Sequence, residues 1–300
     1  MKNAGVLSCE GMALTEPAWD GYAERALAED DAHRDVTTGL LGDRARRPAV
    51  GRFRAEGDFV VAGLPLVEAV FRALDASTVL ARLVAEGDSA TAGSFIAEVQ
   101  GPGGALLSGE RVALNYLQRL SGIATTTRSA VDAVAGTGAV ITDTRKTTPG
   151  IRELEKYAVR VGGGQNHRAS LSDAVLWKDN HWQLLGDDNG ELRDLIHQAP
   201  PGLPVCVEVE NDEQLETALA AGVDWILADN QTPETIAEWS RRAGPDVIIE
   251  ASGGITPENA RPFAEAGARR ISIGALTSAP QIVSISFEIN IQYPISNIEN

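Results

Sequence analysis

The feature that most constrains the fold is a recurring pattern that begins near residue 139. A short apolar run is followed by a few polar or glycine residues and then by an amphipathic helical pattern, six times over. Short apolar strands that alternate with helices are typical of βα units around a buried parallel sheet. The pattern predicts a barrel or a wound sheet with strands at residues 139–144, 174–178, 205–209, 225–228, 247–250 and 270–273.

Two of the intervening helices have clear boundaries. The first, residues 212–221, starts at Asp212 and ends before Gly222. The second, residues 257–266, follows Thr256 and begins with a proline. Asp and Thr are favoured caps, proline suits the first turn, and glycine ends helices.

The first part of the chain mixes helices and strands and predicts an α+β module. Its predicted elements are helices at residues 19–28 and 64–74 and strands at residues 49–61 and 79–99. A helical pattern over residues 110–135, interrupted near Ser121-Gly122, links this module to the barrel. We place the boundary near Leu117, and a strand-like segment at residues 281–289 could return to the first module.

The charge of the chain is unevenly distributed. A net charge of -16 argues against a general nucleic-acid binder, which needs a basic face. Residues 110–182 contain ten lysines and arginines against seven carboxylates, a net charge of +3, whereas the remainder carries -19. One basic segment in an acidic protein indicates an anion site. Of its cations, we assign Arg152, Lys156 and Arg160 to solvated helix faces.

Cysteine usage and hydropathy bear on the cellular compartment. Cys9 and Cys206 are far apart, so neither a disulfide framework nor a zinc site is predicted. The apolar residues 4–7 are too few for the core of a signal peptide. No run approaches the roughly 18 apolar residues of a membrane span. We expect a soluble, cytoplasmic protein with no membrane or nucleic-acid partner.

Polar or glycine residues stand at the carboxyl ends of the predicted strands. The active site of a βα barrel forms there, because the βα loops converge at that end. A structural core alone does not require polar residues at every strand end, so these positions form the candidate site. They are Arg145 and Lys146, residues 178–181 (Lys-Asp-Asn-His), Glu208 and Glu210, Asp229 and Asn230, residues 252–254 (Ser-Gly-Gly), and Gly274 with Ala275.

These residue types indicate a substrate with several carboxylates or phosphates. Arginine and lysine pair with such anions, and the glycine loop at residues 162–164 brings His167 and Arg168 to the same mouth. Glu208 and Asp229 suit a hydrated Mg²⁺ bound through a phosphorylated ligand, although they could equally neutralise the neighbouring lysines. Glycines after the last two strands allow backbone N–H groups and helix N-termini to approach a phosphate.

These residues resemble the quinolinate phosphoribosyltransferases, also called nicotinate-nucleotide pyrophosphorylases, over roughly residues 20 to 289. The central motifs are highly specific and occur in the family's order. The segments that carry the resemblance are ERVALN at 110–115, DTRKTTPG at 143–150, NHR at 166–168, KDNH at 178–181, EVE at 208–210, DN at 229–230, EASGG at 250–254 and IGALT at 273–277.

The resemblance implies an α/β fold in two domains. Residues 1–117 would form an N-terminal α/β sandwich, to which residues 277–289 return, and residues 118–276 an incomplete parallel α/β barrel. Residues 290–300 would be a tail without a counterpart in the family. The resemblance also implies a homodimer or higher homo-oligomer with shared active sites, in which Arg111 serves the site of the partner subunit.

The resemblance further implies phosphoribosyl transfer from phosphoribosyl pyrophosphate to quinolinate, with decarboxylation and Mg²⁺ as cofactor, giving nicotinate mononucleotide for NAD biosynthesis. The catalytic residues would be Lys146, Glu208 and Asp229, with Glu208 and Asp229 also near the metal, directly or through water or donor phosphates. The substrate-binding residues would be Arg111, Arg145, His167, Arg168 and Lys178 for the acceptor and Ser252, Gly253 and Gly274 for the 5′-phosphate.

Some residues depart from the family pattern. Trp177 and Ala228 stand where other aliphatic residues are expected, and the usual histidine is missing between Thr277 and Ser278. The segment DVTTG at residues 35–39 superficially matches the donor loop of the other transferase class, but it follows a helical pattern and is interpreted as structural.

Three alternative functions remain open. A paralogue of the same fold could act on a different aromatic carboxylate. A Schiff-base aldolase could use Lys146 or Lys178 to attack a carbonyl. A non-catalytic protein could bind the same phosphorylated ligand as a sensor.

Overall fold

The computed structural model describes residues 16–186 and 191–291. Cys9, the apolar residues 4–7 and the end of the predicted tail, residues 292–300, lie outside the described residues. Within the described part of the chain, no helix has the length and apolar character needed to cross a membrane.

The chain contains the following elements. The first are α1 (Trp19–Glu29), α2 (Val36–Gly39), β1 (Pro48–Ala55), β2 (Phe59–Val60), α3 (Leu64–Leu74), β3 (Val79–Arg82), β4 (Ser89–Ala90), β5 (Phe95–Pro102) and α4 (Gly103–Ala133). The next are β6 (Val140–Thr142), α5 (Arg152–Val161), β7 (Val175–Trp177), α6 (Asp179–Leu185), α7 (Glu191–His197), β8 (Val205–Val209), α8 (Asp212–Ala221) and β9 (Trp225–Asp229). The last are α9 (Pro233–Ala243), β10 (Ile248–Ser252), α10 (Ala260–Glu265), β11 (Arg270–Ser272), α11 (Ala275–Ser278) and β12 (Ile285–Ile291).

These elements form two compact units. The N-terminal unit consists of Glu16–Thr125 together with residues 280–291, and the barrel unit consists of Thr126–Ala279. The division falls inside α4, between Thr125 and Thr126, and the predicted boundary near Leu117 lies eight residues earlier in the same helix. A continuous helix has no local change of pattern that would mark such a division.

The N-terminal unit is built around a four-stranded antiparallel sheet in the order β12-β1-β5-β3. Phe53 of β1 lies opposite Phe287 of β12, with ring centroids 4.6 Å apart. Phe71 of α3 lies 6.2 Å from Phe53, so aromatic packing holds the helix on the sheet. The predicted strand pair at residues 49–61 is wrong as a pair, because β2 pairs with β4 in a separate sheet.

Two predictions along this unit need correction. The helix α4 is continuous through Ser121-Gly122, where the sequence predicted an interruption. The two small residues instead allow other backbone segments to approach the helix. The Ser121 hydroxyl accepts a hydrogen bond from the Ala62 N–H at 3.0 Å, and a Cβ on Gly122 would lie 1.7 Å from the carbonyl oxygen of Gln281. At the chain end, β12 extends into the predicted tail, because residues 290–291 pair with β1.

The barrel unit contains a six-stranded parallel sheet in the order β6-β11-β10-β9-β8-β7. The strands β6 and β7 lie at opposite ends of this order, so the sheet is open between them, and Gln165 forms a single bridge beside Thr142 of β6. The predicted α/β fold class with an incomplete parallel barrel is confirmed.

The two helices predicted with boundaries have different outcomes. The prediction for α8, residues 212–221, is confirmed. The helix predicted from residue 257 starts only at Ala260, because Thr256 and Asn259 close a turn first. The Asn259 Oδ1 accepts a hydrogen bond from the Thr256 N–H at 2.8 Å.

Alternation along the parallel strands places the site on one face of the sheet. That face carries a buried apolar cluster of Ala174, Cys206, Trp225, Leu227 and Ile248. Further along the same face, towards the carboxyl ends, lie Glu208, Asp229, Glu250 and Ser252. The fold therefore presents polar side chains above an apolar floor.

Candidate active site

Lys178 and Glu208 form an ion pair at the carboxyl ends of neighbouring strands. Lys178 follows β7, Glu208 lies in β8, and the ammonium group contacts the carboxylate directly. The Glu208 side chain is 7% exposed and that of Lys178 is 42% exposed, so the pair extends from the buried face towards solvent. Trp182 of α6 donates its Nε1–H to the Glu208 carbonyl at 2.9 Å, which fixes this strand end.

Asp229, at the end of β9, experiences the charges of several predicted site residues. Burial raises its pKa, and repulsion from Glu208 raises it further, while Lys178 and Lys146 act in the opposite direction. The structure therefore brings Asp229, Glu208, Lys178 and Lys146 together. Neighbouring carboxylates disfavour each other's ionised forms, so an added cation would stabilise this pair.

Arg145 and Arg168 form a second group, in which two guanidinium groups lie near each other. Arg168 is 6% exposed, and its pKa is lowered by burial first and by the charge of Arg145 next. The Nε atoms of both arginines are buried without a hydrogen-bond partner in the described part of the chain. Among the described residues, no carboxylate lies within 4.0 Å of either guanidinium group. A buried cation without a counter-charge suits an anionic ligand.

A buried lysine–aspartate pair supports the loop that carries Arg168. Lys156 of α5 and Asp143, which follows β6, are both 0% exposed and lie 2.5 Å apart. Asp143 also accepts hydrogen bonds from the His167 N–H at 2.8 Å and from the Asn166 side chain at 2.6 Å. Lys156 donates to the His167 carbonyl at 2.8 Å, so the pair holds the His167 backbone from both sides.

The expectation that Arg152, Lys156 and Arg160 lie on solvated helix faces is wrong. Lys156 is fully buried, and Arg160 donates to the Asn166 Oδ1 at 2.8 Å. Arg152 donates to the Thr147 hydroxyl at 3.0 Å and to the Ala169 carbonyl at 2.7 Å. A helical lysine is usually exposed, and only the proximity of Asp143 and Asn166 to the site motifs hinted at this role.

His167 faces the protein with both ring nitrogens. Its Nδ1 accepts a hydrogen bond from the Arg168 N–H at 2.8 Å, and its Nε2 lies 3.5 Å from the Glu250 Oε1. Burial lowers the pKa of the imidazole, which favours the neutral ring. The predicted contact of His167 with the acceptor stays a prediction, and the sequence analysis had assigned no role to Glu250.

The predicted phosphate-binding residues lie beside Lys146 and Asp229. A Cβ on Gly274 would lie 3.0 Å from the Lys146 Cδ, so the glycine makes room for the lysine stem. Gly253 has a φ of 93°, and Ser252 pairs in register with Asp229. The helix after β10 starts only at Ala260, whereas the four-residue helix after β11 begins directly after Gly274. The predicted binding of a phosphate at these turns stays a prediction.

Arg111 and the DVTTG segment lie in the N-terminal unit. Arg111 lines a cavity of about 290 Å³ together with Glu29, Tyr116 and Arg119, and its role in a partner's site stays a prediction. Asp35 caps α2, accepting hydrogen bonds from the N–H groups of residues 37 and 38 at 3.0 Å. This use of its carboxylate agrees with the structural interpretation of the segment.

Few of the described side chains are placed to bind a metal ion. Among the residues that the structure describes, no group of three or more His, Cys, Asp or Glu is placed to hold a metal ion. Glu208 and Asp229 nevertheless offer carboxylate oxygens on neighbouring strands. Such a pair fits Mg²⁺, which commonly takes its other ligands from water and substrate phosphates.

Two family models match successive parts of the chain. The model described as "Quinolinate phosphoribosyl transferase, C-terminal domain" matches residues 123–288. The corresponding N-terminal domain model matches residues 35–121.

Individual relatives are similar over nearly their whole length. The chain is 41% identical over 279 residues to the probable nicotinate-nucleotide pyrophosphorylase (carboxylating) of Synechocystis sp., covering 91% of this chain and 94% of that protein. It is 38% identical over 290 residues to the human nicotinate-nucleotide pyrophosphorylase (carboxylating), covering 94% and 96%. The crystal structure of NadC from Streptococcus pyogenes has a TM-score of 0.87 at 37% identity, covering 94% of this chain and 99% of that one. The chain therefore belongs to the quinolinate phosphoribosyl transferase family.

Proposed function

We propose that this chain transfers the phosphoribosyl group of phosphoribosyl pyrophosphate to the ring nitrogen of quinolinate, releasing pyrophosphate and CO₂ and forming nicotinate mononucleotide. The observation that carries this proposal is the neighbouring pair of Arg145 and Arg168, whose buried Nε atoms have no hydrogen-bond partner within the described chain. Family membership and the names of the relatives support the same reaction.

The acceptor is a diacid, and the proposed pocket supplies matching cations. The planar guanidinium groups of Arg145 and Arg168 can each bind a carboxylate through two N–H groups. Lys178 supplies a compact positive charge, and its ammonium group also pairs with the Glu208 carboxylate. We also assign His167 to this pocket, together with Arg111 of the partner subunit in a homodimer.

The donor occupies the opposite side of the mouth in this proposal. Backbone N–H groups at Ser252, Gly253 and Gly274 bind its 5′-phosphate. Glu208 and Asp229 lie near the ribose, where carboxylates stabilise the positive charge that develops at C1. Lys146 lies against Gly274 and is placed to neutralise the departing pyrophosphate. When bound at Glu208 and Asp229, Mg²⁺ would neutralise further charge on the pyrophosphate.

The proposed chemistry needs no covalent enzyme intermediate. The ring nitrogen forms a bond to C1 while the bond from C1 to the pyrophosphate oxygen breaks. The nitrogen becomes cationic, so the electron pair left by loss of the adjacent carboxylate as CO₂ is stabilised on the neighbouring ring carbon. That carbon then takes up a proton. The arginines hold the ring in place through both steps.

We place the enzyme in the cytoplasm as a homodimer with shared sites. The compartment follows from two widely separated cysteines, of which Cys206 is buried and free. Sedimentation of the purified protein tests the dimer. Mixing an Arg111→Ala variant with a variant inactivated by substitution of Arg145 tests whether the active sites are shared. Only shared sites would restore activity in mixed dimers.

The reaction is tested by incubating the protein with quinolinate labelled at the 2-carboxyl, phosphoribosyl pyrophosphate and Mg²⁺. We expect labelled CO₂ and nicotinate mononucleotide in equal amounts, and loss of both when a chelator removes Mg²⁺. Nicotinate, which lacks the 2-carboxylate, is the matched control acceptor and should react poorly.

The alternative functions predict different outcomes in the same experiment. Turnover of another aromatic acid without turnover of quinolinate would indicate the paralogue. A borohydride-trapped adduct on Lys146 or Lys178 would indicate the aldolase. Donor binding without turnover of any acid would indicate the sensor.

A further inference from the structure

Glu250 is a fully buried carboxylate on β10 that lies beside a hydroxyl, a guanidinium group and an imidazole. The Ser272 hydroxyl donates to its Oε1, and the Arg270 Nε lies 3.4 Å from its Oε2. The third neighbour is the Nε2 of His167, which lies 3.5 Å from Oε1 without meeting the geometry of a hydrogen bond. A buried carboxylate surrounded by donors has a defined orientation, because each oxygen can only accept.

The contacts of His167 select one tautomer of its ring. Its Nδ1 accepts a hydrogen bond from the Arg168 N–H at 2.8 Å, so Nδ1 carries a lone pair. The ring is 6% exposed and lies edge-on to Trp225 with centroids 6.1 Å apart, surroundings that disfavour a charged imidazole. The single proton of a neutral ring must then sit on Nε2, which faces Glu250.

The same ring connects Glu250 to a predicted acceptor ligand. The backbone N–H of Arg168 donates the hydrogen bond that the His167 Nδ1 accepts. The guanidinium group of Arg168 lies near that of Arg145. The Arg168 side chain itself makes one further contact, from NH1 to the Ala174 carbonyl at 3.1 Å. The Arg168 backbone, from which that side chain extends, is therefore tied to the orientation of the neighbouring imidazole.

We propose that Glu250 is a positioning residue that holds His167 as the neutral Nε2–H tautomer and thereby fixes Arg168 for the acceptor carboxylate. The effect on substrate rests on the function proposed above, whereas the effect on the tautomer does not. A carboxylate beside an imidazole N–H commonly favours one tautomer and one orientation of a functional histidine.

The substitution Glu250→Gln is a sharp probe because glutamine has nearly the same shape. Its amide has one acceptor and one donor end, so it cannot satisfy donors on both sides. Whichever way the amide lies, an N–H group faces Arg270 or faces Ser272 and His167. The variant therefore changes the charge and polarity that face the His167 Nε2 with little change in volume.

The tautomer can be read directly by NMR of protein labelled with ¹⁵N-histidine. The chain has four histidines, His33, His167, His181 and His197, and a His167→Gln variant assigns the signal. We expect the wild-type protein to show His167 as the neutral Nε2–H form near pH 7.5. In Glu250→Gln we expect a mixture of tautomers, a rise in KM for quinolinate on the order of tenfold, and a KM for the donor within about twofold of wild type.

A matched control removes a glutamate from another Glu–Arg pair. Glu98 lies 2.8 Å from Arg52 in the N-terminal unit, and Glu98→Gln should leave the His167 signal and both KM values unchanged.

A wild-type His167 with its proton on Nδ1, or doubly protonated, overturns the proposal even when Glu250→Gln does not fold. So does a folded Glu250→Gln variant that loses thermal stability but keeps the wild-type tautomer and quinolinate KM. Absence of quinolinate turnover in the wild-type protein would instead reject the proposed function, and the tautomer measurement would still stand.

Discussion

The barrel unit contains two groups of buried charge that are built in opposite ways. Lys156 and Asp143 are both 0% exposed and form an ion pair, with further hydrogen bonds from the loop at residues 166–167. Arg145 and Arg168 lie near each other with no carboxylate in ion-pair distance among the described residues. The first group is satisfied by the fold and stabilises it. The second has donor groups left over, so we expect that a missing partner, more than burial, distinguishes a binding group from a structural one.

The largest expected effect is on stability, at the satisfied group. Lys156→Met should lower the free energy of unfolding by about 3–5 kcal/mol, because it leaves Asp143 buried without its counter-charge. Denaturant unfolding measures this. The matched control is Arg82→Met, which removes a half-exposed cation whose partner Glu68 is also exposed, and which should change stability far less. Equal stability losses in the two variants would remove the contrast.

The next effect is on activity, at the unsatisfied group. Arg145→Met should lower kcat/KM for quinolinate by roughly 10²-fold to 10³-fold, because a desolvated charge pair with the acceptor is lost. Its melting temperature should not fall, because the substitution removes repulsion with Arg168. Arg145→Lys keeps the charge without the planar fork, so its kcat/KM should lie between those of the wild type and Arg145→Met. A large loss of stability in Arg145→Met would assign this arginine to the structural group.

Asp229 provides an intermediate case with a smaller effect. Its folded-state pKa is raised by burial and by Glu208, so ionised Asp229 destabilises the folded state, and the loss grows as pH rises through that pKa. Asp229→Asn should therefore raise stability modestly at pH 7 while lowering kcat. Thermal unfolding at pH 7 and steady-state kinetics measure the two effects. A destabilised variant would mean that Asp229 has a structural partner instead.

The smallest expected effect is a pH dependence at His167. Its folded-state pKa is lowered from 6.5 by burial, so the unfolded chain binds the proton more tightly. The stability that the neutral ring contributes is fully present above pH 6.5 and is lost as pH falls below that value towards the folded-state pKa. Unfolding curves between pH 5 and pH 8 should therefore have a weaker pH dependence in His167→Gln than in wild type. Parallel curves for the two proteins would contradict a buried neutral ring.

Much of the architecture could be predicted from the sequence because its cause is local. The alternation of short apolar runs with amphipathic helices predicts parallel βα units, and the strands β6–β11 lie where that alternation placed them. Polar residues after these strands predict the site, because parallel strands end at a common edge. Arg145, Lys178, Glu208 and Asp229 are found there.

The errors concern properties that depend on distant parts of the chain. The residues Ser121-Gly122 predicted a helix break, but the helix continues through them. Their small size allows Ala62 and Gln281 to contact the helix there. Lys156 reads as a solvated residue, yet Asp143 and His167 bury it. The partners that change each residue's environment lie outside its local pattern.

Side-chain periodicity acts over a few residues and the connection between parallel strands is regular, so the fold class and the strand ends of the candidate site can be predicted from sequence alone. Which buried charges have a counter-charge depends on the folded chain. Lys156 and Asp143, for example, come together only when the sheet has formed.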